Sequence, residues 1–112
     1  KGTTLSRSAK LVQRIDDLIT ANYADPEFNA QKAASIIGIN PKYLGATYKS
    51  IKNKTFLQQL TQKRIDKSIE LLKENKFSIT EISFRVGFSS SSHFAKVFKE
   101  ITKSSPSDFK TT

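Results

Sequence analysis

Apolar residues recur every three or four positions along most of this chain, and nowhere do they alternate with period two for long, so the pattern predicts helices throughout. Leu11, Val12, Ile15, Leu18 and Ile19 form the first stripe, on a helix from about Ser8. Asp25-Pro26 ends it, because the residue before proline avoids the helical region. Asn29 then suits the N-cap of a helix with Ala30, Ala33, Ala34 and Ile37 on one face, and Gly38 suits its left-handed stop. Asn40-Pro41 opens the next helix, with Leu44, Tyr48 and Ile51 as its buried stripe and Asn53 as its stop.

Thr55 and Gln58 make a capping box for a longer helix running to about Glu74. Its stripe is Leu57, Leu60, Ser68, Leu71 and Leu72, widened by Phe56, Ile65 and Ile69, as a helix linking two subdomains requires. A second capping box, Ser78 with Glu81, starts a helix buried along Ile79, Ile82, Ser83 and Val86. Beyond Gly87 and Phe88, Ser89 or Ser90 caps a helix with Phe94, Val97, Phe98 and Ile101 at helical spacing. Ser105, Pro106 and Asp108 begin a last short turn that aims Phe109 at the core. The expected fold is all-α, about seven helices forming two helix-turn-helix subdomains joined by a long linker helix. A lead-in covers 1–8, the first subdomain 9–54, the linker helix 55–74 and the second subdomain 75–112.

The two hairpins repeat one grid. Gly38 and Gly87 mark equivalent turns. Ala33-Ala34 corresponds to Ile82-Ser83, Ile37 to Val86 and Ile39 to Phe88. After one extra residue in the second copy, Leu44 matches Phe94, Tyr48-Lys49 matches Phe98-Lys99, and Thr55 matches Ser105. The same apolar order implies the same packing twice.

Charge gives this shape a partner. The 112 residues carry a net charge of +9, which favours polyanions, nucleic acid before an anionic membrane. Lys42, Lys49, Lys52 and Lys54 lie in a stretch from Asn40 to Lys54 that holds no acid. With no cysteine there is no disulfide framework and no thiolate metal site, which fits a reducing cytoplasm. No apolar run approaches the ~20 residues needed to span a bilayer. One histidine, no glycine-rich phosphate loop and scattered acids argue against an enzyme, and no cofactor or metal is expected. The missing initiator Met makes Lys1 look like a cut point.

The run I-x-E-I-S-F-R-V-G-F-S-S-S-S-H-F-A-K-V-F-K-E from Ile79 to Glu100, followed by S-P-S-D-F-K, resembles the DNA-binding domain of the AraC/XylS family of bacterial transcription regulators. A-A-S-I-I-G-I-N-P-K-Y-L-G-A-T-Y-K, from Ala33 to Lys49, resembles its first half more loosely. Arg64-Ile65 with Leu71-Leu72 is similar to its linker helix, and the likeness extends from about Leu11 to Lys110. Asn53 and Lys103 replace the family's usual glycines after each recognition helix, so the stop at Lys103 is expected to be strained or rearranged. Ser68 and Ser83 replace alanines, and each hydroxyl is expected to bond the i−4 carbonyl. Phe109-Lys110 replaces a common Tyr-Arg.

The resemblance implies double-stranded DNA as partner, with each recognition helix in one of two successive major-groove segments about 34 Å apart. In the second helix Ser91, Ser92, His93, Ala95 and Lys96 face the bases, although Ser91 and Ser92 would also serve simply to cap and solvate the helix start. In the first helix the equivalent positions are Lys42, Tyr43, Gly45, Ala46 and Lys49. Gly45 and Ala46 offer no bidentate contact, Tyr43 either packs or touches DNA, and Lys42 is left as the main base reader. Phosphates fall to Lys49, Lys52, Lys54, Arg85, Ser90 and Lys99. Neutralising roughly 6–10 phosphates would lower affinity by ~10³–10⁵ between 50 and 200 mM salt. Arg64 either braces the linker or reaches a phosphate. By the same resemblance, a sensor or dimerisation region is expected outside this chain and RNA polymerase is a further partner. The competing reading is a basic helical adaptor without sequence preference, for RNA, an acidic protein or an anionic membrane. That reading leaves the duplicated hairpin unexplained.

Overall fold

The computed structural model describes residues 6–110. Among them are seven helices and no strand: α1 (Arg7–Asn22), α2 (Ala30–Ile37), α3 (Pro41–Lys52), α4 (Phe56–Glu74), α5 (Ile79–Arg85), α6 (Ser91–Thr102) and α7 (Pro106–Phe109). Residues 1–5 of the expected lead-in lie outside the described residues, and α1 starts at Arg7, within the stretch read as lead-in. Ser6 starts it, its hydroxyl accepting from the Ala9 amide at 3.0 Å.

Two compact units share the chain. One comprises the chain up to Asn22 together with Glu27–Leu60, and the other comprises Tyr23–Pro26 and the chain from Thr61 onward. The dividing point falls inside α4, after Leu60. The short connector Tyr23–Pro26 therefore belongs with the second unit although both its neighbours in sequence belong with the first.

In the first unit Val12, Ile15 and Ile19 of α1 are buried, as are Ala33, Ala34, Leu44 and Tyr48. Phe28 and Phe56 close the cluster at 5.7 Å between ring centroids. Ile51 and Leu57, both expected in apolar stripes, are instead 44% and 66% exposed. Each lies at an end of its helix, Ile51 one residue before the last of α3 and Leu57 one residue after the first of α4, one turn beyond the buried Tyr48 and Leu60 respectively.

In the second unit Ile65, Leu72, Ile82, Val86, Phe88, Phe94 and Phe98 form one buried cluster. Phe109 joins it edge-on, 5.2 Å from the Phe98 ring centre, so α7 does turn its aromatic inward. Ile101 sits at the boundary, 36% exposed. Ser68 and Ser83 are fully buried, and each hydroxyl donates to a carbonyl at 2.6 Å. The acceptors are Ile65 and Thr80, at i−3 rather than the expected i−4, which satisfies the hydroxyls just as well.

Candidate nucleic-acid interface

Each recognition helix is set by a capped start and a left-handed stop. In the first unit Gly38 takes φ 87°, and its amide donates to the Ala34 carbonyl at 2.8 Å. Asn40 then caps α3, its Oδ1 accepting from the Lys42 amide at 2.8 Å, with Pro41 in the first turn. Asp16 of α1 fixes the back of α3. Its carboxylate accepts from the Tyr48 hydroxyl at 2.6 Å and from Lys52 Nζ at 3.0 Å, residues one turn apart. Burial, then the hydrogen bond and charge of Asp16, raise the Tyr48 hydroxyl well above its ordinary pKa.

With Leu44 and Tyr48 wholly buried, the opposite side of α3 presents Lys42, Ala46 and Lys49, all exposed. Tyr43 is 50% exposed, Gly45 is half-buried, and Lys54 is half-buried just beyond the helix. Lys52 stands apart from the other expected phosphate ligands because it already carries the ion pair with Asp16.

In the second unit the Ser78–Glu81 capping box forms reciprocally, with both amide-to-side-chain distances 3.1 Å. Of the two candidate caps for α6 the structure uses Ser90, whose hydroxyl accepts from the His93 amide at 3.2 Å. Ser91 and Ala95 are half-buried, whereas Ser92, His93, Lys96 and Lys99 are exposed. The imidazole of His93 lies 5.8 Å from the Phe88 ring centre, so part of this side chain packs against the turn. Arg85 lays its guanidinium 3.9 Å from the centre of the Phe77 ring and keeps its outer face in solvent. Lys103 ends α6 at φ 69°, ψ 10°, with its amide donating to the Lys99 carbonyl at 2.8 Å, so the left-handed stop forms despite the side chain.

Arg64 is a brace. Its Nε donates to the Tyr23 carbonyl at 2.8 Å and its Nη2 to the Asp25 carbonyl at 2.9 Å, and the guanidinium carbon lies 6.0 Å from the Phe88 ring centre. Burial lowers its pKa, with the charge of Asp25 working in the opposite direction. Gly87 (φ 102°) passes so close that an added Cβ would lie 2.7 Å from Arg64 Nε and would collide with the Tyr23 carbonyl oxygen.

The stripe pattern passes over one feature. A cleft of about 330 Å³ in the first unit runs between α1 and the start of α3. Arg7, Lys10 and Arg14 line it together with Leu11, Ile37, Ile39 and Tyr43. Its signal in the sequence is three cations at i, i+3 and i+7 on one face of α1, a spacing that apolar periodicity does not register.

Among the described residues no group of three or more His, Cys, Asp or Glu side chains is placed to hold a metal ion. Nor is any described helix long and apolar enough to cross a membrane.

A family model described as a helix-turn-helix domain matches residues 33–112. An uncharacterized HTH-type transcriptional regulator of Pseudoalteromonas carrageenovora is 34% identical over 102 residues, spanning 91% of this chain and 60% of that protein. The C-terminal domain of AraT, a response regulator from Geobacillus stearothermophilus, superimposes with a TM-score of 0.89 at 28% identity, covering 94% of this chain and 87% of that one. The DNA-binding domain of AdpA, a global transcriptional factor whose structure is of a complex with a target DNA, shares the fold. Its TM-score is 0.81 at 19% identity, over 88% of this chain and 87% of that one.

Proposed function

The chain belongs to the AraC/XylS family of helix-turn-helix domains, and on that footing we propose that it reads a bipartite site in double-stranded DNA, with α3 and α6 entering successive major-groove segments. The observation that carries this reading is the matched pair of capped helices, each with a buried apolar back and an exposed polar or basic front. The adaptor reading does not explain why that arrangement occurs twice.

The two helices contribute unequally. The α6 edge of Ser91, Ser92, His93, Ala95 and Lys96 supplies hydroxyl, imidazole, methyl and ammonium groups, a set able to discriminate bases. On α3 Lys42 is the main base reader, with Tyr43 and Ala46 limited to apolar or single contacts. Lys49, Lys54, Lys99, Arg85 and the capped amides beyond Ser90 serve phosphates, whereas Lys52 does so only by sharing its charge with Asp16. This role involves no catalysis. In a longer cytoplasmic protein the domain would be the output of a transcription regulator, with sensing or dimerisation supplied by another region and RNA polymerase as a further partner.

Selection of sites from a random duplex library tests the reading. The expected product is a two-part site, bound far more tightly than random duplex. Replacing Ser91, Ser92 and Lys96 together by Ala should relax one half of that site, at about 1–3 kcal/mol per lost base contact. Lys42→Ala should relax the other half by less. A specific-to-random ratio near one would favour the adaptor, and a larger effect from Lys42→Ala would reverse the division of labour.

A further inference from the structure

We infer that the basic edge of α1 extends the DNA interface of the first unit, with Arg7, Lys10 and Arg14 holding the sugar-phosphate strand beside the groove that α3 enters. The inference rests on DNA binding by α3 and adds residues outside both helix-turn-helix motifs.

Arg7, Lys10 and Arg14 are exposed and stand at i, i+3 and i+7 on one face of α1, covering about 10 Å of helix length. They line the cleft of about 330 Å³, and no acidic side chain lines it with them. Its apolar lining comes from Leu11, Ile37 and Ile39. A DNA strand presents an alternation of deoxyribose carbons and phosphate anions, and this cleft offers the complementary alternation of apolar and cationic groups. A free anion would use the cations and leave the apolar surface uncovered.

The position of Tyr43 connects the cleft to the groove. Tyr43 lines the cleft and belongs to the first turn of α3. At about 100° per residue it lies roughly 60° around the helix from Ala46, between the exposed front and the face buried at Leu44 and Tyr48. A helix lying in the major groove has a backbone strand rising along its flank, so a cleft on that flank meets phosphates rather than base edges. The chemistry also answers a shortage on α3. Gly45 and Ala46 carry no cation, and Lys52 is paired with Asp16.

The test uses the full chain with Arg7, Lys10 and Arg14 all changed to Ala, titrated against its selected site and against random duplex at several salt concentrations. The expected result is a fall of about 2–3 in the slope of log affinity against log salt, the same for both DNAs, with base preference and thermal unfolding unchanged. Replacing phosphates beside the α3 half-site by neutral methylphosphonates should weaken the parent chain more than the variant, which keeps only the contacts of Lys49 and Lys54 there. A variant that keeps the parent slope overturns the inference. Binding of an acidic amphipathic peptide by the parent and not the variant would then assign the cleft to protein docking. Equal binding of selected and random duplex by the parent would defeat sequence-specific recognition instead, and the slope comparison would remain readable.

Discussion

Gly38 and Gly87 occupy equivalent places in the two hairpins, and both are left-handed, at φ 87° and 102°. A Cβ at Gly38 would meet nothing within 4 Å, whereas one at Gly87 would strike the Tyr23 carbonyl and Arg64 Nε. The first turn therefore needs glycine only for its backbone angle, and the second needs it for space as well. The cause is Arg64, which the second unit uses to hold Tyr23–Pro26 against its own turn. The first unit fixes its recognition helix differently, through the Asp16 carboxylate on two residues of α3. Thus one duplicated grid is anchored by a cation bonded to backbone in one copy and by an anion bonded to side chains in the other.

The largest expected effect comes from alanine at Gly87, read against alanine at Gly38. Gly38→Ala should cost about 1–2 kcal/mol, the ordinary penalty for an L side chain in this conformation. Gly87→Ala adds overpacking, worth a further ~1–3 kcal/mol, and should destabilise α5 and α6 selectively. Amide hydrogen exchange, which follows each unit separately, checks both. Equal costs would show that both the Tyr23 carbonyl and Arg64 yield freely and that the two turns are alike after all.

Arg64→Ala comes next. It removes two charge-assisted bonds and leaves the Tyr23 and Asp25 carbonyls without that donor, an expected loss of about 2–3 kcal/mol in the second unit. Arg64→Lys should recover little, because one ammonium cannot reproduce a planar fork reaching two carbonyls. Full rescue by lysine would reduce the brace to simple charge.

Much of this comparison was legible in the sequence because it rests on local rules. Asn29, Asn40, Thr55-Gln58 and Ser78-Glu81 all cap as their spacing requires, since capping involves residues two or three apart. The repeat located both turns for the same reason. What escaped depends on distant residues. Nothing local distinguishes an Arg64 that reaches a phosphate from one that grips carbonyls 39 and 41 residues away. The engagement of Lys52 by Asp16, 36 residues earlier, is equally invisible to periodicity. Leu57 and Ile51 mark the other limit: a 3.6-residue period identifies a buried side without saying where its margin falls.

The anchor of the first unit should prove weaker and dependent on pH. Tyr48→Phe leaves the packing and removes one hydrogen bond to a carboxylate, for a loss of about 1–2 kcal/mol. Because the folded state raises the Tyr48 pKa above its ordinary 10.0, it retains a proton that the unfolded chain releases. That contribution is complete below pH 10.0 and declines as pH rises through the folded value. Denaturation of the parent chain and of Tyr48→Phe should therefore converge under alkaline conditions. A difference that stays constant with pH would show that the folded state holds the Tyr48 proton no more tightly than the unfolded chain does.

The smallest effect separates the two helix stops. Asn53 and Lys103 adopt nearly the same left-handed conformation, at φ 60° and 69°. Asparagine tolerates this region, while lysine pays most of the steric cost of its Cβ, about 1–2 kcal/mol. Glycine would remove that cost but add unfolded-chain entropy, about 0.5–1 kcal/mol. Lys103→Gly should therefore stabilise the second unit by roughly 0.5–1 kcal/mol, whereas Asn53→Gly should leave the first within about 0.5 kcal/mol of the parent. Lys103 Nζ also donates to the Glu100 carbonyl at 3.1 Å, but the exposed bond returns to water when the side chain is removed. Thermal unfolding of the two single variants reads the difference directly. If Lys103→Gly destabilises, that exposed bond or the charge at the end of α6 outweighs the backbone strain, and the second stop is stabilised by its side chain rather than in spite of it.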